Sequence, residues 1–248
     1  MPFLDHLDEL RSRLIKSLVA LLAGLVVGLF AVAKLNVLAI IQAPIAELLP
    51  NQELIYISPT TPFFITLKLG FIVGLILSFP ILSYQLWAFL SPALYENERK
   101  FAVPAIAAGT ALFLGGVAMA YFWVLPFGLK ILLSFYSGEL APFIAVNEYL
   151  KFATGLILAF GLIFEMPVIL VFLSAVGIVT PEFLSKYRRH AIVVMAILSA
   201  LLTPQDPYTM LAMMIPLMLL YEISIMMAKL LRSRRERQTQ PGSEGSAA

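Results

Sequence analysis

The sequence contains no cysteine, which removes disulfides, thiolate nucleophiles and cysteine-bound metals at once. Histidine is almost as scarce: His6 and His190 stand at opposite ends of the chain, so no histidine cluster presents itself. Charge is the third scarcity. Only 13% of the 248 residues are charged while 60% are hydrophobic, and the mean hydropathy is +0.92. A water-soluble domain of this size carries far more charge. No polar stretch is long enough to build a soluble core. Gly-x-Ser-x-Gly, His-Glu-x-x-His and paired midspan aspartates are missing, which argues against an intramembrane enzyme. No internal repeat is visible, which argues against a transporter built from inverted halves. Asp5, Asp8 and Glu9 occupy the place where a cleavable signal peptide would be basic, so a membrane-resident protein that retains its own N-terminus is expected.

What the chain does have is apolar runs of membrane-spanning length, about 20 residues for a helix. Charge-free runs mark spans at Ser17–Ala33, Leu69 to about Leu90, about Phe101 to Leu125, and Phe152–Val179, the last interrupted by Glu165. A short fifth run, 191–203, precedes the turn Thr203-Pro204-Gln205-Asp206-Pro207, and a sixth covers Tyr208–Ala228. The expectation is an all-α polytopic membrane protein with six transmembrane helices in one domain, 1–230, and a basic then disordered tail, 231–248. An N-terminal helix, 3–15, puts Phe3, Leu7, Leu10 and Leu14 on one stripe. The outer loop 34–67 is expected to carry an interfacial amphipathic helix, Leu35–Leu49, complicated by Pro44; a second outer loop covers 126–150. The fifth run would cover only about 20 Å, against a hydrocarbon core of about 30 Å.

Basic residues set the orientation. Arg11, Arg13, Lys16, Arg99, Lys100, Lys186, Arg188, Arg189, Lys229, Arg232, Arg234, Arg235 and Arg237 fall in alternate connections and both termini. Only Lys34, Lys68, Lys130 and Lys151 lie on the other side. The positive-inside rule therefore places both termini in the cytoplasm of a cell-membrane protein.

Three carboxylates stand out. Glu98 closes the segment Trp87-Ala88-Phe89-Leu90-Ser91-Pro92-Ala93-Leu94-Tyr95-Glu96-Asn97-Glu98, with Trp87 and Phe89 expected as interfacial anchors. It is either a loop acid neutralised by Arg99 or Lys100, or a fixed carboxylate that takes a guanidinium in a bidentate fork. Glu9 is either an i,i+4 partner of Arg13 or a second acidic contact on the same face. Glu165, in Phe164-Glu165-Met166-Pro167, lies near the middle of the fourth span. A midplane acid costs about 2.5–3.5 kcal/mol, so it should face protein or water. It is either a hydrogen-bonded structural acid or a functional one; as a proton relay it would support the alternative reading, a proton-coupled small-molecule transporter. Glu222 can snorkel toward the cytoplasm, and Asp206 can cap the sixth helix.

The segments His6-Leu7-Asp8-Glu9-Leu10-Arg11-Ser12-Arg13, Gln85-Leu86-Trp87-Ala88-Phe89 through Pro92-Ala93-Leu94 to Glu98-Arg99, Phe164-Glu165-Met166-Pro167 and Leu202-Thr203-Pro204-Gln205-Asp206 together resemble the TatC family, the polytopic subunit of the twin-arginine protein translocase. The resemblance runs from about residue 4 to 230. It implies a glove-shaped six-span fold that recognises twin-arginine signal peptides of folded proteins, with no catalysis and no metal or other cofactor. Glu9, Arg11, Phe89 and Glu98 would belong to the signal-peptide site, with Gln85 and Glu165 as intramembrane polar groups. Pro44, Asp206 and Met210 would lie at the outer turns or against partner helices. Met210 departs from the expected polar residue there, often glutamine. The implied partners are single-span TatA- and TatB-like proteins and further copies of the chain, without nucleic acid, and transport would be driven by the proton-motive force.

Overall fold

The computed structural model describes residues 3–49, 54–90, 102–134, 143–202 and 207–239. Ten α-helices run through them: α1 (Phe3–Leu35), α2 (Val37–Ala46), α3 (Thr61–Leu90), α4 (Ala102–Met119), α5 (Leu125–Ser134), α6 (Val146–Ile163), α7 (Met166–Ala175), α8 (Pro181–Lys186), α9 (Arg188–Leu202) and α10 (Pro207–Thr239). Among the described residues the extended backbone amounts to one isolated parallel bridge, Ile55 with Ala145. Five helical stretches are long and apolar enough to cross a membrane: Leu7–Leu35, Thr61–Phe89, Val103–Ser134, Val146–Ala175 and Pro207–Leu230.

Several expected boundaries move, each for a physical reason. The N-terminal amphipathic segment is not a separate element, because α1 continues without a break into the first span. Its stripe residues Leu7, Leu10 and Leu14 are exposed. The second span begins at Thr61 rather than Leu69, and the fourth at Val146 rather than Phe152; Lys68 and Lys151 had interrupted the charge-free runs but not the helices. The third continues to Ser134. A π-helical turn at Ala120–Val124 leads directly into α5, where Pro126 occupies the first turn and leaves the helix unbroken. The fifth run forms α9, 15 residues long. The last helix carries on past Lys229 through the basic residues to Thr239.

The long helices stand in a row, α1–α3–α4–α6, with α7 continuing α6 and packing on α10, and α9 packing on α10 in turn. The contact between α1 and α3 is made by backbone. A Cβ added to Gly24 would lie 2.5 Å from the Gly74 carbonyl oxygen, and one added to Gly28 would lie 2.1 Å from that of Gly70. Only glycine permits this approach, the usual device where lipid removes the hydrophobic drive between helices. Ser78 Oγ donates to the Ala20 carbonyl at 3.0 Å across the same seam.

Two apolar cores divide the molecule. The larger gathers Val37, Ile41 and Ile45 of α2 with Leu69, Val124, Leu125, Leu150, Leu156, Phe160 and Met213. The expected interfacial helix α2 is therefore packed against its own chain along the row Val37–Ile41–Ile45. Pro44 lies inside it, buried, and its missing N–H leaves the Ile40 carbonyl without a helical donor. Tyr121 supplies one, its hydroxyl donating to Ile40 O at 2.6 Å, and Tyr149 donates to Ile41 O at 2.5 Å. The smaller core joins Leu184, Met195, Leu217, Tyr221 and Ile225 with Met166 and Leu170 at the opposite end.

Candidate functional site

The end of the row away from α2 carries the arginine–glutamate ion pairs. It is built from the starts of α1 and α9 and the ends of α3 and α10. On α1, Arg13 Nη2 donates to Glu9 Oε1 at 3.3 Å, and Arg13 Nη1 donates to Gln85 Oε1 of α3, also at 3.3 Å. Glu9 and Arg13 are each about a quarter exposed, at 24% and 26%, and Gln85 is buried. The i,i+4 pairing expected of Glu9 is thus present, and Arg13 also ties the pair to α3 across 72 positions of sequence. That link was invisible in the sequence, because nothing in the pattern of α1 names a partner on α3. Arg11 is exposed and lines a shallow groove with Asp8, Ser12, Ile15 and Lys16.

Phe89 is half-buried near the end of α3. Trp87 is not an interfacial anchor: it is buried edge-on against Phe172 of α7, with ring centroids 5.3 Å apart. Glu98 and Asp206 lie outside the described residues. Met210 is half-buried on α10 beside the buried Thr209, and Pro44 serves the interior of the chain.

Glu165 occupies the joint between α6 and α7. The α6 ladder ends as Phe164 N–H bonds Phe160 O at 2.9 Å and Glu165 N–H bonds Leu162 O at 3.1 Å. Pro167, in the first turn of α7, restarts the helix without needing its missing N–H. Glu165 thus interrupts the helix as well as the charge-free run. The carboxylate lies over α4: a Cβ on Gly109 would sit 3.0 Å from Glu165 Oε2 and 3.3 Å from Oε1. Oε1 is buried with no hydrogen-bond partner among the described residues, so the acid faces protein, as its midspan cost demands.

Two further ion pairs sit at the charged end. Arg188 Nη2 lies 2.8 Å from Glu222 Oε2, and Arg232 Nη1 bonds Glu182 Oε2. Glu222, expected to snorkel toward the cytoplasm, is 45% exposed and pairs with Arg188. The Glu182 carboxyl is held below the usual carboxylate range chiefly by its own backbone N–H, which outweighs the opposing effect of desolvation, and further by the Arg232 charge and the Thr180 hydroxyl. No cluster of three or more histidine, cysteine, aspartate or glutamate side chains with metal-binding geometry occurs among the described residues.

Residues 5–216 match the family model described as Sec-independent protein translocase protein (TatC). A Sec-independent protein translocase protein TatC from Aquifex aeolicus is 42% identical over 242 residues, covering 97% of this chain and 99% of that one. A TatCy protein from Bacillus subtilis is 36% identical, covering 92% and 89%. A crystal structure of the twin-arginine translocase receptor TatC superposes with a TM-score of 0.80 at 42% identity, over 91% of this chain and 98% of that one. A second, determined in the detergent DDM, gives 0.82 at 41% identity, over 90% and 99%. The chain is a polytopic membrane protein that belongs to the TatC family of Sec-independent protein translocase proteins.

Proposed function

We propose that this chain is the receptor and core subunit of a twin-arginine protein translocase, binding the arginine pair of signal peptides at the charged end of the helix row. One observation carries the reading: Glu9 presents a half-buried carboxylate, oriented through Arg13 and Gln85, at the end that also bears the segment containing Glu98. Magnitudes favour exchange. The Arg13 contact is one hydrogen bond at 3.3 Å, whereas a free guanidinium can make two shorter charge-assisted ones to the same carboxylate. An incoming guanidinium that forks both oxygens of Glu9 therefore displaces the single long contact from Arg13. Lysine cannot reproduce that fork.

The remaining elements follow from the same reading. The 15 residues of α9 supply the sixth crossing, a short one of about 22 Å, for which the bilayer thins or partner helices compensate. Six crossings return both termini to the cytoplasm, matching the distribution of arginine and lysine. The row curves into a glove whose concave side holds Glu165 and receives the apolar part of the signal peptide. TatA- and TatB-like single-span helices dock near α9 and α10, further copies of the chain complete the complex, and the proton-motive force drives transport.

The test is copurification of the full chain with a twin-arginine precursor, repeated with Lys-Lys in place of Arg-Arg and with Glu9→Gln and Glu98→Gln. Binding should fall about tenfold or more for the lysine precursor and for either variant, the loss of one charge-assisted fork. Undiminished capture of the Lys-Lys precursor would sink the assignment.

A further inference from the structure

Lys68 and Lys151 lie inside apolar spans, Thr61–Phe89 and Val146–Ala175. A clamp sets their depth. Ile55 N–H bonds Ile144 O at 3.2 Å and Val146 N–H bonds Ile55 O at 2.8 Å, while Asn147 Nδ2 donates to Thr61 Oγ1 at 3.3 Å. The starts of α3 and α6 are thus level and run in the same direction. At 1.5 Å per residue Lys68 lies about 10 Å past Thr61 and Lys151 about 6 Å past Asn147. That difference is within the reach of a lysine side chain, and the two charges act on each other, with Glu148 the one acid acting on Lys68 among the described residues. Among the described residues neither lysine forms an ion pair.

The surroundings are lipid-facing. Phe64, four positions before Lys68, is 60% exposed, and Phe71, three positions after it, is 41% exposed. Positions three and four apart share a helix face, so a cation is set within an exposed aromatic stripe of a membrane span. Two like charges offset by one acid leave a net positive notch, open from the bilayer side. A phosphate held by the membrane reaches this notch at the right depth, and the stripe Phe64–Leu67–Phe71 offers its acyl chains a bed.

We infer that Lys68 and Lys151 form a binding site for the phosphodiester headgroup of an anionic phospholipid, in the leaflet on the α2 side of the molecule. The lipid neutralises the lysine pair and covers the junction of α3 and α6. Native mass spectrometry of the purified full chain, titrated with phosphatidylglycerol or phosphatidylcholine, reads this directly. Phosphatidylglycerol should be retained preferentially. Lys68→Gln and Lys151→Gln should each weaken its retention about fivefold, and together about thirtyfold, from roughly 1 kcal/mol per basic residue. Lys34→Gln and Lys130→Gln, on the same side of the molecule, should leave retention unchanged. The pair Lys68→Arg and Lys151→Arg should retain the lipid, separating charge from folding defects. Retention by the double glutamine variant equal to the wild type would overturn the inference, as would equal loss in the Lys34 and Lys130 controls. Displacement of the lipid by millimolar inorganic phosphate would instead mark a site for a free anion and overturn the lipid assignment.

Discussion

At the α2 end, tyrosine hydroxyls and a continuous apolar core close the molecule; at the other end, three partly exposed arginine–glutamate pairs accompany a smaller core. Within the core of the first end the polar groups are committed, Tyr121 and Tyr149 to backbone carbonyls. The second is assembled from contacts of small individual worth, which a cationic ligand can replace without unfolding anything. Rigidity at one end and exchangeable pairs at the other is the arrangement a membrane receptor needs. The cap holds the helices in place while the charged end trades partners.

The contrast is broken most strongly at the cap. Leu150 is fully buried in the larger core, and Leu150→Ala should cost about 2–5 kcal/mol, lowering the unfolding temperature in detergent more than any single truncation among the exposed ion pairs. A smaller effect tests the carbonyl caps. Tyr121→Phe leaves Ile40 O without its donor and should cost about 0.5–1.5 kcal/mol. In that background Pro44→Ala restores a helical N–H and should recover part of the loss, whereas Pro44→Ala alone should not stabilise by as much. A non-additive double-mutant cycle in the unfolding temperature is the expected outcome, and simple additivity would count against the capping role.

The smallest effect is at the charged end. The folded-state pKa of Glu182 is depressed, so its contribution to stability is present above the ordinary carboxylate range and is lost as pH falls through the folded value. Glu182→Gln should therefore lower the unfolding temperature slightly at pH 7. The difference should shrink as pH falls through the folded value, with Arg232→Gln following the same profile.

Much of this was written in the chain. The burial of the Glu165 carboxylate followed from the cost of a midspan charge, and Pro167 beside it marks where α7 restarts. The alternation of basic connections anticipated the charged end at which Arg13, Arg188 and Arg232 gather. What escaped had local causes. Lys68 and Lys151 had marked ends of spans because a charge breaks an apolar run long before it breaks a helix. Pro126 had marked the end of another, but the π turn before it absorbs the missing donor. The partners of Arg13 and Trp87, Gln85 and Phe172, are distant in sequence, and no periodicity names a contact between helices. The tyrosine caps could have been suspected only from the orphaned Ile40 carbonyl, and which tyrosine answers it is settled by packing.

The glycine seam between α1 and α3 bears on how such a chain is made. Both of its surfaces, Gly24 with Gly28 and Gly70 with Gly74, lie in the first third of the sequence. A pair that locks by backbone approach needs no later helix to complete it. During synthesis, where chains fold in order from the N-terminus, α1 and α3 can settle as a finished hairpin in the bilayer while α4 to α10 are still emerging, and the rest of the row then builds outward from a template already in place.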